Sequence, residues 1–313
     1  MAPLRSDTSR KRPLAVGLLL PDHERQFDGG TARWSDLHDM ARIGEDIGAD
    51  SIWVTDHLLH RAPGEEPRGS WECWSHLSAL AAVTTRVELG TLVVCTGFRN
   101  PPLLAKMAAT VEEISDGRLI LGIGAGWNEA EYRAFGYPFD HRVSRFEEAL
   151  IVMRGLLRDG QIDFSGRYYE ARDCELRPRG PRPEGPPILI GSYAPRMLDL
   201  LARYGDAWNI WWTHTGNAAD GVVPFAAKVD AACLAVGRSP NTIQKTVSVL
   251  VAVGPERPSP NGVVPLAGSP EAIASGLRAY AAVRVSHLQV RLQPNIPASW
   301  EAFAPVLEML DKG

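Results

Sequence analysis

Arg118-Leu-Ile-Leu-Gly-Ile-Gly-Ala-Gly-Trp127, running on into Asn128-Glu-Ala-Glu-Tyr132, joins an apolar strand, a glycine-lined end and the start of a helix. Backbone without side chains at Gly122, Gly124 and Gly126 lets another group come close. The helix opened by Asn128, Glu129 and Glu131 offers unpaired N–H groups and a positive dipole end. Two readings account for such glycines: a bound ligand, or close packing alone. A dinucleotide fingerprint does not fit. It needs glycine at its first, third and sixth positions, and the sixth here is Trp127. It also belongs to the first strand of a βαβ unit, whereas about three strand-like segments precede this one.

Outward from this stretch, short runs rich in Val, Ile and Leu alternate with segments of helical period. Strands are expected at 14–20, 50–55, 87–95, 118–123, 187–191, 206–212, 245–254 and 285–292. Helices are expected at about 35–48, 71–83, 101–115, 142–158, 194–204, 219–236, 270–282 and 298–311. Ser269 before Pro270 and Glu271 is an N-cap with proline at the first helical position. In 142–158, Phe146, Leu150, Met153 and Leu157 form one stripe. Continuous rather than alternating apolar strands imply a sheet covered on both faces. Eight strands alternating with eight helices predict an α/β fold, a (β/α)8 TIM barrel, with a doubly wound open sheet as the alternative. Residues 1–313 are expected to form a single domain. The irregular stretch 159–186, with Gly166-Arg-Tyr-Tyr169, reads as a hairpin and loop inserted between helix 4 and strand 5. It is either a lid or a solvated excursion.

The 313 residues carry a net charge of −4, with 45% hydrophobic and 22% charged side chains. Such a chain builds an ordinary core and has no general attraction for nucleic acid or anionic membrane. Cys73, Cys95, Cys174 and Cys233 show no paired spacing, which argues against zinc or a disulfide framework and fits a reducing cytoplasm. Arg10-Lys11-Arg12 before Leu14-Ala-Val-Gly-Leu-Leu-Leu20 resembles a miniature signal peptide. The run is short and lacks a small-residue cleavage site, so a buried first strand is the better reading. No stretch approaches the ~20 apolar residues of a membrane helix.

In a barrel, chemistry belongs at the C-terminal ends of the strands. Strand 2 ends in Asp56-His57, where a histidine can act as acid, base or hydrogen-bond donor near neutral pH. The plainer alternative is Asp56 capping a turn and His57 merely packed. After strand 3, Thr96, Gly97 and Asn100 suit a turn, and Arg99 either holds an anion or pairs with a carboxylate. Cys95 reads as a small buried filler rather than an activated nucleophile. Gly191-Ser192 opening a helix after strand 5 can take a phosphate through backbone N–H groups and a hydroxyl. Trp208, Trp211 and Trp212, with His214 near, are an apolar platform for a planar ligand or simply core. No nucleophile elbow, paired-histidine metal spacing or P-loop is present. Glu72, Glu129 and Glu131 leave paired-carboxylate hydrolysis as a minor alternative.

Together these segments resemble the bacterial luciferase-like family of flavin- and deazaflavin-dependent oxidoreductases. Asp50-Ser-Ile-Trp-Val-Thr-Asp-His57 is similar to its second strand. Leu89-Gly-Thr-Leu-Val-Val-Cys-Thr-Gly-Phe-Arg-Asn-Pro-Pro102 and the stretch through Tyr132 are similar to its third and fourth. Arg145-Phe-Glu-Glu-Ala-Leu150, Gly166-Arg-Tyr-Tyr169 and Pro187-Ile-Leu-Ile-Gly-Ser192 continue the pattern.

The resemblance implies an isoalloxazine or deazaflavin at the barrel mouth, backed by a strand-3 bulge with a non-prolyl cis peptide at Leu92-Val93 or an adjacent bond. It implies cofactor contacts from Leu92, Val93, Cys95, Arg99, Ala125, Gly126, Trp127, Asn128, Gly191 and Ser192, the last two taking the phosphate. His57 is the expected proton donor or acceptor, with Asp56 fixing its orientation. The Asp-His ending and the Gly-Ala-Gly-Trp-Asn run look most like the coenzyme F420 subgroup; FMN-dependent monooxygenases share the barrel and are the alternative. The family's deazaflavin-dependent glucose-6-phosphate dehydrogenases carry a catalytic glutamate where Trp127 stands, which favours an apolar or aromatic small-molecule substrate. A homodimer and a separate flavin or F420 reductase are further expectations. A non-catalytic flavin-binding relative is the third reading; it would lack His57 or Gly191-Ser192, and both are present.

Overall fold

The computed structural model describes Arg12 and residues 14–61, 64–254 and 262–312. Eight parallel strands close on themselves: β1 (Ala15–Leu19), β2 (Ser51–Val54), β3 (Glu88–Thr91), β4 (Leu119–Gly124), β5 (Ile188–Gly191), β6 (Ala207–Ile210), β7 (Gln244–Ala252) and β8 (His287–Gln293). Ala15 pairs with His287 across β1 and β8, and Ile188 with Leu121 across β5 and β4, which completes the ring. The fold is therefore the expected (β/α)8 TIM barrel rather than an open sheet.

The helices that follow the strands are α1 (Trp34–Asp46), α2 (Cys73–Val83), α3 (Pro101–Ile114), α4 (Arg142–Asp159), α5 (Pro195–Tyr204), α6 (Ala219–Ala235), α7 (Pro270–Ala282) and α8 (Ala304–Asp311). Their starts are set locally. Asn100 Oδ1 accepts from Leu103 N and Ser269 Oγ from Ala272 N, each ahead of a proline that needs no N–H partner. The stripe Phe146, Leu150, Met153 and Leu157 is buried against the barrel. The last expected helix is broken in two. Pro297–Ala302 and Ala304–Asp311 are separate, because Pro305 cannot donate into the turn before it.

Alternate strand residues point inward and outward. The outward set packs under the helices, while the inward set fills the barrel in layers. At the bottom Trp53 donates through Nε1 to Ser51 Oγ at 2.7 Å, and Ser51 meets His287 Nε2 at 2.7 Å. Above them Asn209 Nδ2 donates to Gln289 Oε1 at 2.7 Å and to Thr246 Oγ1 at 2.9 Å. Leu19, Leu92, Ile120 and Leu189, joined by Val93 and Trp211, make an apolar floor for the mouth.

Arg12, the last of the early basic run, is buried and pairs with Asp50 at 2.9 Å and Asp311 at 3.0 Å. Arg10 and Lys11 lie outside the described residues. The insertion forms an antiparallel hairpin, Gln161–Ser165 with Glu170–Glu175. Its turn is tied to α4: the Glu148 carboxylate accepts from the backbone N–H groups of Arg167, Tyr168 and Tyr169, and Arg145 lies over the Tyr168 ring at 4.5 Å. Among the described residues no helix is long and apolar enough to cross a membrane.

Candidate active site

Strand β3 stops at Thr91 and resumes as Val94–Cys95 against β4; between them the Leu92–Val93 peptide is cis, as the resemblance implied. This bulge turns Val93 across the glycines of β4. A Cβ on Gly122 would lie 2.0 Å from Thr91 O, and one on Gly124 2.9 Å from Val93 Cγ2. At Gly126, where φ is +72°, a Cβ would meet Tyr132 Oη at 2.4 Å and Cys95 Sγ at 2.7 Å. The missing side chains thus serve close packing. They make room for the β3 bulge and for Tyr132.

Tyr132 is buried; its hydroxyl donates to Ala125 O at 2.9 Å and lies 2.8 Å from Cys95 Sγ. Burial pushes the Cys95 thiol up to about 12, so it behaves as the expected filler. Among the described residues no group of three or more His, Cys, Asp or Glu side chains is placed to hold a metal ion.

Asp56 does not orient His57. Its carboxylate takes the Cys95 N–H at 2.9 Å and the Arg99 guanidinium at 2.6 and 2.9 Å, and Arg99 continues to Glu72 at 2.7 Å. Burial raises the Asp56 carboxyl, and the Arg99 bonds only partly oppose this. Of the two readings open for Arg99, pairing with carboxylates is the one realised. The trio clips the end of β2 to the turn after the bulge.

His57 is held instead by Glu131, from the short helix Glu129–Ala134, with Nδ1 3.1 Å from Oε2. Glu131 is buried and also accepts the N–H groups of Leu58 and, at 3.0 Å, Leu59. Asn128 adds a bond from Nδ2 to Leu59 O at 2.9 Å. Burial works to raise the Glu131 carboxyl, but the bonds from His57, Leu58 and Leu59 outweigh it and hold it below the usual range. An ionised Glu131 fixes the proton on His57 Nδ1 and leaves Nε2 as the exchanging atom. Nε2 makes no hydrogen bond to any described residue.

Around His57 lies a cluster not foreseen from the sequence. The His60 ring is 4.5 Å away, His23 5.4 Å and Trp127 5.6 Å between centroids. Ser70 Oγ meets His23 Nδ1 at 2.7 Å; His23 Nε2 meets Thr55 Oγ1 at 2.7 Å; Thr55 in turn bonds Asp22 at 2.9 Å. The network assigns a neutral His23 that accepts from Ser70 and donates to Thr55. Burial, with the neighbouring His57, lowers His23 far and His60 to about 4, while burial raises Asp22 to about 6. Only assembly of the β1, β2 and Leu59–Ser70 segments brings these residues together. Their one sequence signal was their place just after strands.

On the far side of the mouth, Gly191 and Ser192 are half-buried, and Ser192 O accepts from Trp208 Nε1 at 2.7 Å. Ala194 caps α5 without a side-chain hydrogen bond, so the helix N-terminus beside Ser192 is open. Trp208 and Trp212 are core, while Trp211 adjoins the apolar floor. Trp127 is 65% exposed and Tyr193 44% exposed, on the rim. An apolar floor, an aromatic rim and an open helix N-terminus fit a planar ring that carries an anionic tail.

A family model described as luciferase-like monooxygenase matches residues 14–259. Over 181 residues the chain is 35% identical to an F420-dependent glucose-6-phosphate dehydrogenase of Amycolatopsis mediterranei, covering 55% of this chain and 52% of that one. Over 222 residues it is 31% identical to an F420-dependent hydroxymycolic acid dehydrogenase of Mycobacterium tuberculosis, covering 69% and 59%. The chain thus spans about half the length of the curated relatives it matches. An F420-dependent secondary alcohol dehydrogenase, solved with an F420–acetone adduct, superposes with a TM-score of 0.78 over 94% of this chain and 98% of its own. At 18% identity that likeness is one of fold. With the matched model running from β1 through β7, this chain belongs to the luciferase-like monooxygenase family.

Proposed function

We propose that this chain is an oxidoreductase that binds coenzyme F420 at the C-terminal mouth and exchanges a hydride with a small organic substrate. The observation that carries the reading is the His57–Glu131 pair beside Trp127, at the end of the strand that pairs with β3 and its cis Leu92–Val93 bond. The F420-dependent relatives support the choice of cofactor.

When bound, F420 supplies the hydride chemistry. The chain's own part is to position and to move a proton. Leu92, Val93 and Trp211 offer the ring an apolar bed, and Gly191, Ser192 and the start of α5 take the phosphate. Glu131 holds His57 in one tautomer, and Nε2 gives or takes the proton at the substrate oxygen. Trp127, where sugar-phosphate-oxidising members of the family carry glutamate, turns the rim toward apolar or aromatic substrates. Residues 1–313 act as one domain, as a cytoplasmic homodimer supplied by a separate reductase.

The family model's description favours a second reading, a monooxygenase using reduced FMN and oxygen. Titrating each cofactor while following tryptophan fluorescence separates them. F420 is expected to bind and FMN not; tight FMN binding with none of F420 would overturn the proposal.

A further inference from the structure

Strand β8 carries a second feature of the mouth. His287 and Gln289 point into the barrel, where they bond Ser51 and Asn209. Strand periodicity puts Arg291 on the same inward face, one pair nearer the open end. Its guanidinium has no hydrogen bond or ion pair to any described residue and lies 6.0 Å from the centre of the Trp212 ring. Below it, the buried Gln289 Nε2 also lacks a partner. Arg99 and Arg158, by contrast, are clamped by carboxylates.

A half-buried guanidinium without a hydrogen-bonded counter-ion is costly, and five N–H donors in a fixed fork match a two-oxygen anion. Asp22, the carboxylate that Arg291 feels most, is already engaged by Thr55. His23 and His60 stay uncharged near neutral pH and do not repel the Arg291 guanidinium. In the eight-strand ring, β1 stands opposite β5, so this wall faces the Gly191–Ser192 end across the floor.

We propose that Arg291 is the receptor for a carboxylate on the substrate, so that the class taken is an apolar or aromatic organic acid whose acid group docks on β8. The proposal rests on the oxidoreductase reading for what happens next, but not for the docking itself. The Trp127 rim would meet the apolar body, and the Gln289 amide would give a second donor.

The test compares acids with their neutral counterparts on the full chain: acetate with ethanol, benzoate with benzyl alcohol, decanoate with decanol. Binding is followed by tryptophan fluorescence. At least one acid is expected to bind about 10- to 100-fold more tightly than its alcohol, and Arg291→Met to erase the difference, with Arg291→Lys keeping part of it. Without ligand, Arg291→Met should melt no lower than wild type, because it removes a half-buried charge that no described residue pairs. No acid preferred over its alcohol, or preference unchanged in Arg291→Met, overturns the proposal. So does a Tm loss on the scale of breaking a buried ion pair. A matching fall in F420 affinity in Arg291→Met would put the guanidinium on the cofactor and also overturn it. If wild type prefers acids yet does not bind F420, the cofactor reading falls and the Arg291 site stands.

Discussion

His57 Nδ1 lies 3.1 Å from Glu131 Oε2, and that carboxylate also holds the backbone of Leu58 and Leu59. One buried acid therefore sets both the ring's tautomer and the loop that carries it. Glu131→Gln keeps the shape while removing the charge that favours a proton on Nδ1. Turnover should fall about 10- to 100-fold, with KM and F420 affinity changed far less. His57→Ala should cost at least about 100-fold in turnover. Steady-state kinetics beside fluorescence titration check both. Equal losses in KM and kcat for Glu131→Gln would make Glu131 merely structural.

Asp56 and Arg99 should show the reverse pattern. Their bonds of 2.6 and 2.9 Å, with both side chains largely out of solvent, tie β2 to the turn after the bulge. Asp56→Ala leaves a buried guanidinium half-paired and should cost about 3–5 kcal/mol in denaturant unfolding. Arg99→Lys should leave F420 affinity within about threefold, since Arg99 is spent on Asp56 and Glu72. A large affinity loss at Arg99 with intact stability would restore its reading as an anion site.

Gly126→Ala should destabilise by about 2–5 kcal/mol, from the left-handed backbone and from overpacking together. The new methyl would meet Tyr132 Oη at 2.4 Å and Cys95 Sγ at 2.7 Å. Adding Tyr132→Phe removes the nearer atom and should recover part of the loss. Thermal melts of the single and double variants test this. Intact stability combined with weakened F420 binding would mean that the glycine faces the ligand after all.

The barrel was legible because its signals are local and repeated. Eight continuous apolar runs, each followed by an amphipathic segment, leave few other ways to bury them. His57 was legible by its place after β2. Glu131 was not, because two residues into a helix it reads like Glu129, an acid near a positive dipole end. Only the fold lays the Leu58–Leu59 backbone across it. Asp56 was assigned to His57 by adjacency, but neighbouring residues near a strand end point to different faces. His23 and His60 carry no pattern of their own, and three chain segments must meet before they become a cluster. Arg291 sits in a strand otherwise read as core, and its meaning appears only when its missing partner does.

The Asp22–His23–His60 group contributes to the pH dependence of stability with opposing signs. His60 titrates at about 4 in the folded chain against 6.5 when free, and His23 is lowered too. Between these values the unfolded chain binds more protons, so both histidines make stability rise as pH goes from about 4 to 6.5. Asp22 is raised from 3.8 to about 6, so the folded chain binds the extra proton there, and its contribution falls as pH climbs through the same window. Two lowered histidines outweigh one raised acid, so Tm should rise from pH 4 to 6.5. Asp22→Asn removes the opposing slope and should make that rise steeper, while His60→Gln should flatten it. Calorimetric melts at half-unit pH steps read all three. A His60→Gln curve as steep as wild type would mean that His60 holds its proton equally well folded and unfolded, and the cluster's electrostatics would have to be redrawn around His23.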